Sequence, residues 1–353
     1  MSSLVLFYIL SLFLTAVCNK HNLRMVYFVI TIWVSVLSFF YEPSESADLT
    51  RHIETIKFYG DIGLDWVIEN RLNLNPLTHL LFYAFSFIKE PRFFSCFCTF
   101  VTYGFSLLLL YRASRFYSLS KSTIVILTMF LLFNWNYLLV AGSCRVFMLY
   151  AIVAYFFYME FVEDRYHKLA ILVYLASVLF HYGILLVLIP RLILYLYKPA
   201  NKKVYLWAFF IVAYFVYNGV SNYEAILFES ILDKSESYKN YNVFGIWQFL
   251  NSLICVLVCC FCAIKGRSLL VEIKRFYILF WIIVVIIFLY LSNFQVIYRE
   301  SNLIATLSVV LFSHILKSHN DQTMKTIIGL QSIVSLIYSL VYVYSGIDFK
   351  FVI

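Results

Sequence analysis

Gly142-Ser143-Cys144-Arg145 opens an apolar run that ends at Glu163-Asp164-Arg165-Tyr166-His167-Lys168, and a second apolar run then reaches His181-Tyr182-Gly183. The stretch sets an arginine at the mouth of one apolar helix and a histidine between two others. Hydrocarbon cannot solvate a cation, so ionisable groups in such places are costly and are usually kept for a task. Which side of a membrane each residue occupies decides the fold and the site together.

Composition supports the membrane reading. The 353 residues are 63% hydrophobic and 13% charged, with 36 Phe and 29 Tyr. Repeated apolar runs approach the ~20 residues that cross a bilayer. These features exclude a soluble globular domain and predict an all-α, polytopic integral membrane protein forming one transmembrane domain over 1–353. The net charge of +8 is spread over short loops, which excludes a nucleic-acid surface built on a basic block. Residues 1–17 lack a basic start and a small-residue cleavage site, so they read as a first span. Cys96/Cys98 and Cys259/Cys260/Cys262 have metal-like spacing, but they stand in apolar runs without histidine or carboxylate neighbours. They read as packing residues, and neither a metal nor a cofactor is expected.

Candidate spans are 2–17, 25–41, 93–111, 123–140, 145–162, 167–181, 183–197, 204–219, 245–264, 276–292, 301–316 and 326–345, about twelve transmembrane helices. Short loops rich in Lys and Arg stay cytoplasmic. Lys20 and Arg24 put the first loop inside, which leaves 42–75 outside. That loop carries Glu42, Glu45, Asp48, Glu54, Asp61, Asp65 and Glu69 against Arg51, Lys57 and Arg71, and it is expected to have no packed core. If 76–88 crossed, Arg112, Arg115 and Lys121 would fall outside, against the rule. Thirteen residues rise ~20 Å as a helix, short of the ~30 Å core. Segment 76–88 therefore reads as a re-entrant or interfacial helix within an extracytoplasmic loop, 42–92. Residues 167–197 are too long for one span, and two helices meeting at His181-Tyr182-Gly183 restore the parity. Loop 220–243 is then extracytoplasmic, and Asp48, Arg51, Arg145, His181 and Arg299 share the outer face.

Arg145 and Arg299 each stand at an outer helix mouth, where the macrodipole disfavours a cation. A guanidinium fork grips phosphate oxygens two at a time, so the pair suits a phosphate clamp. The bland alternatives are snorkelling to headgroups and, for Arg299, pairing with Glu300. His181 has the pKa range for proton transfer, or it caps a helix break. Asp48 is a candidate base, or it pairs with Arg51 three residues on. His52 and His79 are further candidates.

These residues resemble a family. In order they are Ser46-Ala47-Asp48-Leu49-Thr50-Arg51, Asn73-Leu74-Asn75-Pro76-Leu77, Gly142-Ser143-Cys144-Arg145, Leu179-Phe180-His181-Tyr182-Gly183 and Tyr298-Arg299-Glu300-Ser301-Asn302. The series is similar to the EpsG-like branch of Wzy-type bacterial polysaccharide polymerases, over residues ~40 to ~310. Asn75 stands where that pattern has Glu, Val146 where it has Gln, and Gly183 where it has Ser. Arg145, His181 and Arg299 match.

The resemblance implies an architecture broadly like that of GT-C glycosyltransferases, in the bacterial inner membrane with the site facing the exterior. It implies transfer of a growing glycan from undecaprenyl diphosphate to the next lipid-linked repeat unit. His181 and Asp48 would be catalytic, and Arg145, Arg299 and Arg51 would hold the diphosphate. Expected partners are the undecaprenyl-diphosphate-linked oligosaccharide, membrane lipids, a chain-length regulator and a flippase, with no nucleic acid. Two other readings stay open on the residues alone: a lipid-linked glycan flippase, and a membrane acyltransferase that modifies glycans.

Overall fold

The computed structural model describes residues 2–43, 48–71, 75–181, 183–196, 244–289, 294–318, 321–344 and 349–351. Among them the chain is helical apart from one short strand pair. The helices are α1 (Ser2–Val17), α2 (Leu23–Phe39), α3 (Asp48–Ile62), α4 (Leu64–Arg71), α5 (Pro76–Ser86), α6 (Phe93–Phe116), α7 (Lys121–Asn134), α8 (Tyr137–Gly142), α9 (Cys144–Phe161), α10 (His167–Phe180), α11 (Ile184–Leu196), α12 (Phe244–Lys265), α13 (Lys274–Leu289), α14 (Phe294–Ser318) and α15 (Gln322–Tyr344). Strand β1 (Tyr41–Pro43) pairs antiparallel with β2 (Phe349–Phe351). The expected span 204–219 and loop 220–243 lie outside the described residues.

Four described segments are long and apolar enough to cross a membrane: Phe93–Phe116, Cys144–Phe161, Gln248–Lys265 and Gln322–Val341. Ser3–Val17, Leu23–Phe39, Lys121–Asn134 and His167–Phe180 are apolar but shorter. Their outer faces suit lipid. On α15, Leu330, Ile333, Ile337 and Val341 are exposed three and four residues apart, one apolar stripe turned away from the protein. Helix α14 is the opposite case, with Leu303, Ile304, Leu307, Val310, Leu311 and Phe312 all fully buried. One of its buried hydroxyls is bonded on both sides: Trp135 Nε1 donates to Thr306 Oγ1 at 3.0 Å, and Thr306 donates to the Asn302 carbonyl at 2.8 Å, while Ser308 Oγ, Ser313 Oγ and His314 Nδ1 are buried without a hydrogen-bond partner among the described residues.

Contacts between helix ends define an upper and a lower end of the bundle. At the upper end Ser95, near the start of α6, donates to the Ala141 carbonyl just before α9 at 3.4 Å. At the lower end Arg112 of α6 grips Glu163, just beyond α9, through two bonds of 3.0 and 2.6 Å. Helix α14 descends between them: Tyr150 donates to Glu300 near its top, and His314 Nε2 reaches the Leu269 carbonyl at 2.7 Å near its foot. Helices α10 and α11 form a hairpin. Arg191 of α11 lies over the Tyr174 ring of α10, 5.0 Å from its centroid, so residues at similar distances either side of the bend are level. His181 is at that bend, at the upper end.

Helix α5 does not pass down the bundle. Thr78 Oγ1 donates to the Phe180 carbonyl beside the hairpin bend at 2.6 Å. The rings of Phe82 and Phe85 sit 5.1 and 5.4 Å from Phe94, at the start of α6. Every one of these contacts is at the upper end. The local sequence accounts for the start of α5, where Asn75 takes a left-handed φ of 51° and Pro76 occupies the first turn, each a residue suited to its position.

Two expectations are corrected. Residues 42–75 are not a loop without a core: α3 and α4 bury Leu49, Ile56, Tyr59 and Val67 to 1% exposure or less. The spacing 49–56–59 puts one apolar stripe on α3, which packs on α5 and leaves Glu54 and Asp61 exposed. The span expected at 123–140 is broken as well, since α7 ends at Asn134 and α8 begins at Tyr137. Asn134 Nδ2 donates back to the Phe130 carbonyl at 2.8 Å, a local bond that competes with continuing the helix.

Cysteines replacing Lys89 and Lys121, with the native cysteines removed, should label from opposite faces: 89 with an impermeant reagent outside, 121 only after permeabilisation. Outside labelling of both would contradict an α5 that stays at one end.

Candidate functional site

Five residues singled out from the sequence lie at the upper end. Asp48, the first residue of α3, is their hub. Arg51 donates to its Oδ1 from one turn on. Arg299 Nη2, from α14, stands 3.6 Å from Oδ2. Ser143, immediately before α9, donates to the same oxygen at 3.5 Å. Three separate parts of the chain thus meet on one carboxylate.

Arg145 is one turn inside, at the start of α9. Its Nε donates to His52 Nε2 at 3.0 Å, and its guanidinium lies 5.5 Å from the Phe82 centroid. His52 is 6% exposed, held between Phe82 and Phe94 at ring distances of 5.1 and 6.0 Å. A cation–π contact and a neutral acceptor solvate a buried guanidinium only in part. Arg145 therefore keeps an appetite for an anion, and its partner His52 stands one turn along α3 from Asp48.

The electrostatics sort the candidate bases. Burial works to raise the Asp48 pKa, but the charges of Arg299 and then Arg51 outweigh it and hold the carboxyl below its ordinary value. It is therefore ionised, and a weak base for as long as those cations face it. Burial, and next the charge of Arg145, push His52 down to about 3. The ring is thus neutral and its Nε2 accepts from Arg145, so the hydrogen is on Nδ1. His79 is turned elsewhere, its Nδ1 2.6 Å from the Tyr59 hydroxyl.

His181 is brought to the site through α5, whose Thr78 donates to the Phe180 carbonyl beside it and whose Phe82 packs on His52. Its Nδ1 accepts the Gly183 backbone N–H at 3.0 Å. In the neutral ring the proton then belongs on Nε2, which makes His181 a donor at that atom while the bond lasts. The same turn explains Gly183. A Cβ there would sit 2.8 Å from His181 Cε1 and 2.9 Å from Nδ1, closer than any van der Waals contact, so a side chain must displace the ring. Gly183→Ala is expected to lower activity at least tenfold with the protein still present in the membrane. Unchanged activity would show that the ring position set by this turn does not matter.

Arg299 does not pair with Glu300. That acid is buried on the other side of α14 and takes its bond from Tyr150. Sequence reasoning gave no role to Ser143, Phe82 or the Tyr150–Glu300 pair. Helical spacing signals the last in part, because adjacent residues of a helix face different neighbours. Among the described residues no group of three or more His, Cys, Asp or Glu could hold a metal ion.

Comparison with protein-family models, curated proteins and solved structures finds no match to this chain.

Proposed function

We propose that the chain is a membrane glycosyltransferase that polymerises lipid-linked oligosaccharides. It would move a growing glycan from undecaprenyl diphosphate onto the next repeat unit at the outer face of a bacterial inner membrane. The observation that carries the reading is the meeting of Arg51 and Arg299 on Asp48, with Arg145 held by His52 one turn along α3 from it, at one end of an apolar bundle. A membrane-anchored diphosphate leaving group needs several cations at headgroup level, and guanidinium forks match its oxygens.

The step is a substitution at the anomeric carbon. The acceptor hydroxyl oxygen forms the new glycosidic bond, the bond from carbon to the diphosphate oxygen breaks, and undecaprenyl diphosphate leaves with the electron pair. The acceptor proton must go to a base. Asp48 suits that role only after the diphosphate has drawn Arg51 and Arg299 toward itself, because neutralising those cations restores the carboxylate's basicity. His181 contributes a hydrogen bond from Nε2 to the departing oxyanion, and Arg145 grips that group from the side of His52.

Protein reconstituted with a synthetic lipid-linked repeat unit should lengthen the glycan and release undecaprenyl diphosphate in step, one per bond formed. Movement of the unit between leaflets without lengthening would replace this reading with that of a flippase.

A further inference from the structure

The lower end of the bundle carries a second polar site, opposite the one above. The end of α9, the start of α10, the middle of α11 and the start of α13 enclose a cavity of about 440 Å³, a size that suits a small-molecule headgroup. Glu160, Asp164, His167, Arg191 and Arg275 line it, and Phe161, Ile171 and Leu194 form its apolar wall.

The lining sets two acids against two arginines and a histidine, and the pairing among them is uneven. Glu160, 9% exposed, is taken by Arg191 through two bonds, Nε to Oε2 at 3.0 Å and Nη2 to Oε1 at 2.8 Å. Tyr174 adds its hydroxyl to the same carboxylate at 3.0 Å, so a carboxylate buried in an apolar bundle is satisfied by one bidentate partner and a phenol. Asp164 has His167, 3.4 Å away. That contact is an ion pair only with the ring protonated, and Asp164 is 82% exposed, so Glu160 is the acid whose bonds are filled. Arg275 makes no ion pair among the described residues, and Arg191 Nη1 makes no hydrogen bond among them. The cavity is left with a surplus of guanidinium donors, next to an apolar wall that continues into exposed Ile171, Leu172 and Leu175 of α10.

The geometry points to a binding site for the phosphate of an anionic phospholipid, with the headgroup on Arg275 and Arg191 and an acyl chain along the outer face of α10. Basic pockets between membrane helices take headgroups in this way, through charge and an adjoining apolar surface together. The bound phosphate would also rest against the Glu160–Arg191 pair, which ties α9, with Arg145 at its start, to the hairpin that carries His181. The site is independent of what the upper end does.

The test uses the full-length protein in a neutral detergent, with melting followed against added dioleoylphosphatidylglycerol, dioleoylphosphatidylcholine or inorganic phosphate. Wild type should gain several degrees with phosphatidylglycerol and little with phosphatidylcholine, as a ligand that binds only the folded form requires. Arg275→Gln should keep the lipid-free melting point, because no ion pair is lost. Its affinity for phosphatidylglycerol should fall roughly ten- to hundredfold, the worth of a charged hydrogen bond, and Arg275→Lys should recover part of that loss. Equal stabilisation of wild type and Arg275→Gln would overturn the site. Stabilisation by inorganic phosphate with none from phosphatidylglycerol would overturn the lipid as its occupant.

Discussion

Replacing Arg145 by alanine should abolish polymer, a fall of roughly thirty- to several-thousand-fold, with the protein still inserted. That range corresponds to losing one buried charged contact worth ~2–5 kcal/mol, at tenfold per 1.4 kcal/mol. The geometry explains why the loss falls on activity. Among the described residues Arg145 has no carboxylate within bonding distance: its Nε meets a neutral His52 and its face meets Phe82. An arginine held only by an imidazole and a ring has charge to spare for a ligand. One neutralised by an acid does not. Arg145→Lys should recover little, because an ammonium grips one oxygen where the fork grips two. The control is His52→Gln, which keeps an acceptor for Arg145 and should cost far less than loss of the arginine. Wild-type chain lengths from Arg145→Lys would reduce Arg145 to a residue that snorkels to headgroups.

Arg145 also shows how far a sequence can be read. Its place at a helix mouth follows from the apolar run after it, and its end of the bundle follows from the charge of distant loops. The same charge parity required a non-crossing α5 and a bend at His181; in the structure Thr78 of α5 meets Phe180, Phe82 meets Phe94, and Arg191 lies over Tyr174. The partner of Arg145 was not legible. His52 is ninety-three residues away in the chain, and periodicity says nothing about which side chains meet across elements. Residues 42–75 look like a loop for a related reason. Acids interrupt their apolar positions, so no continuous apolar run marks a buried face. The stripe Leu49, Ile56 and Tyr59 shows only when it is traced at helical spacing. Glu300 beside Arg299 invited a local ion pair that does not form, because neighbours along a helix face different directions and Asp48 came from elsewhere to take the arginine. Long-range electrostatics between helix ends is legible from composition; short-range pairing is not.

Asp48→Asn should pull two measurements in opposite directions. The variant keeps the size of the side chain and a carbonyl oxygen for Arg51, so α3 should start as before. It removes the charge that holds Arg51 and Arg299. On the proposed function, Asp48 in the free protein occupies the place of a phosphate: its carboxylate engages cations that the diphosphate would have to win over, and the Ser143 hydrogen bond and the Arg299 ion pair are long enough, at 3.5 and 3.6 Å, to be given up readily. With asparagine in its place, undecaprenyl diphosphate meets no competitor and should bind several-fold more tightly. Turnover should move the other way, by ~10²–10⁴-fold, the usual worth of a general base, because asparagine cannot take the acceptor proton. Tighter product binding with turnover lost is a combination that a structural role cannot produce: removing a mere strut would weaken both. If Asp48→Asn weakens diphosphate binding and turnover together, then Asp48 serves only to brace the arginines, and the base lies elsewhere in the site.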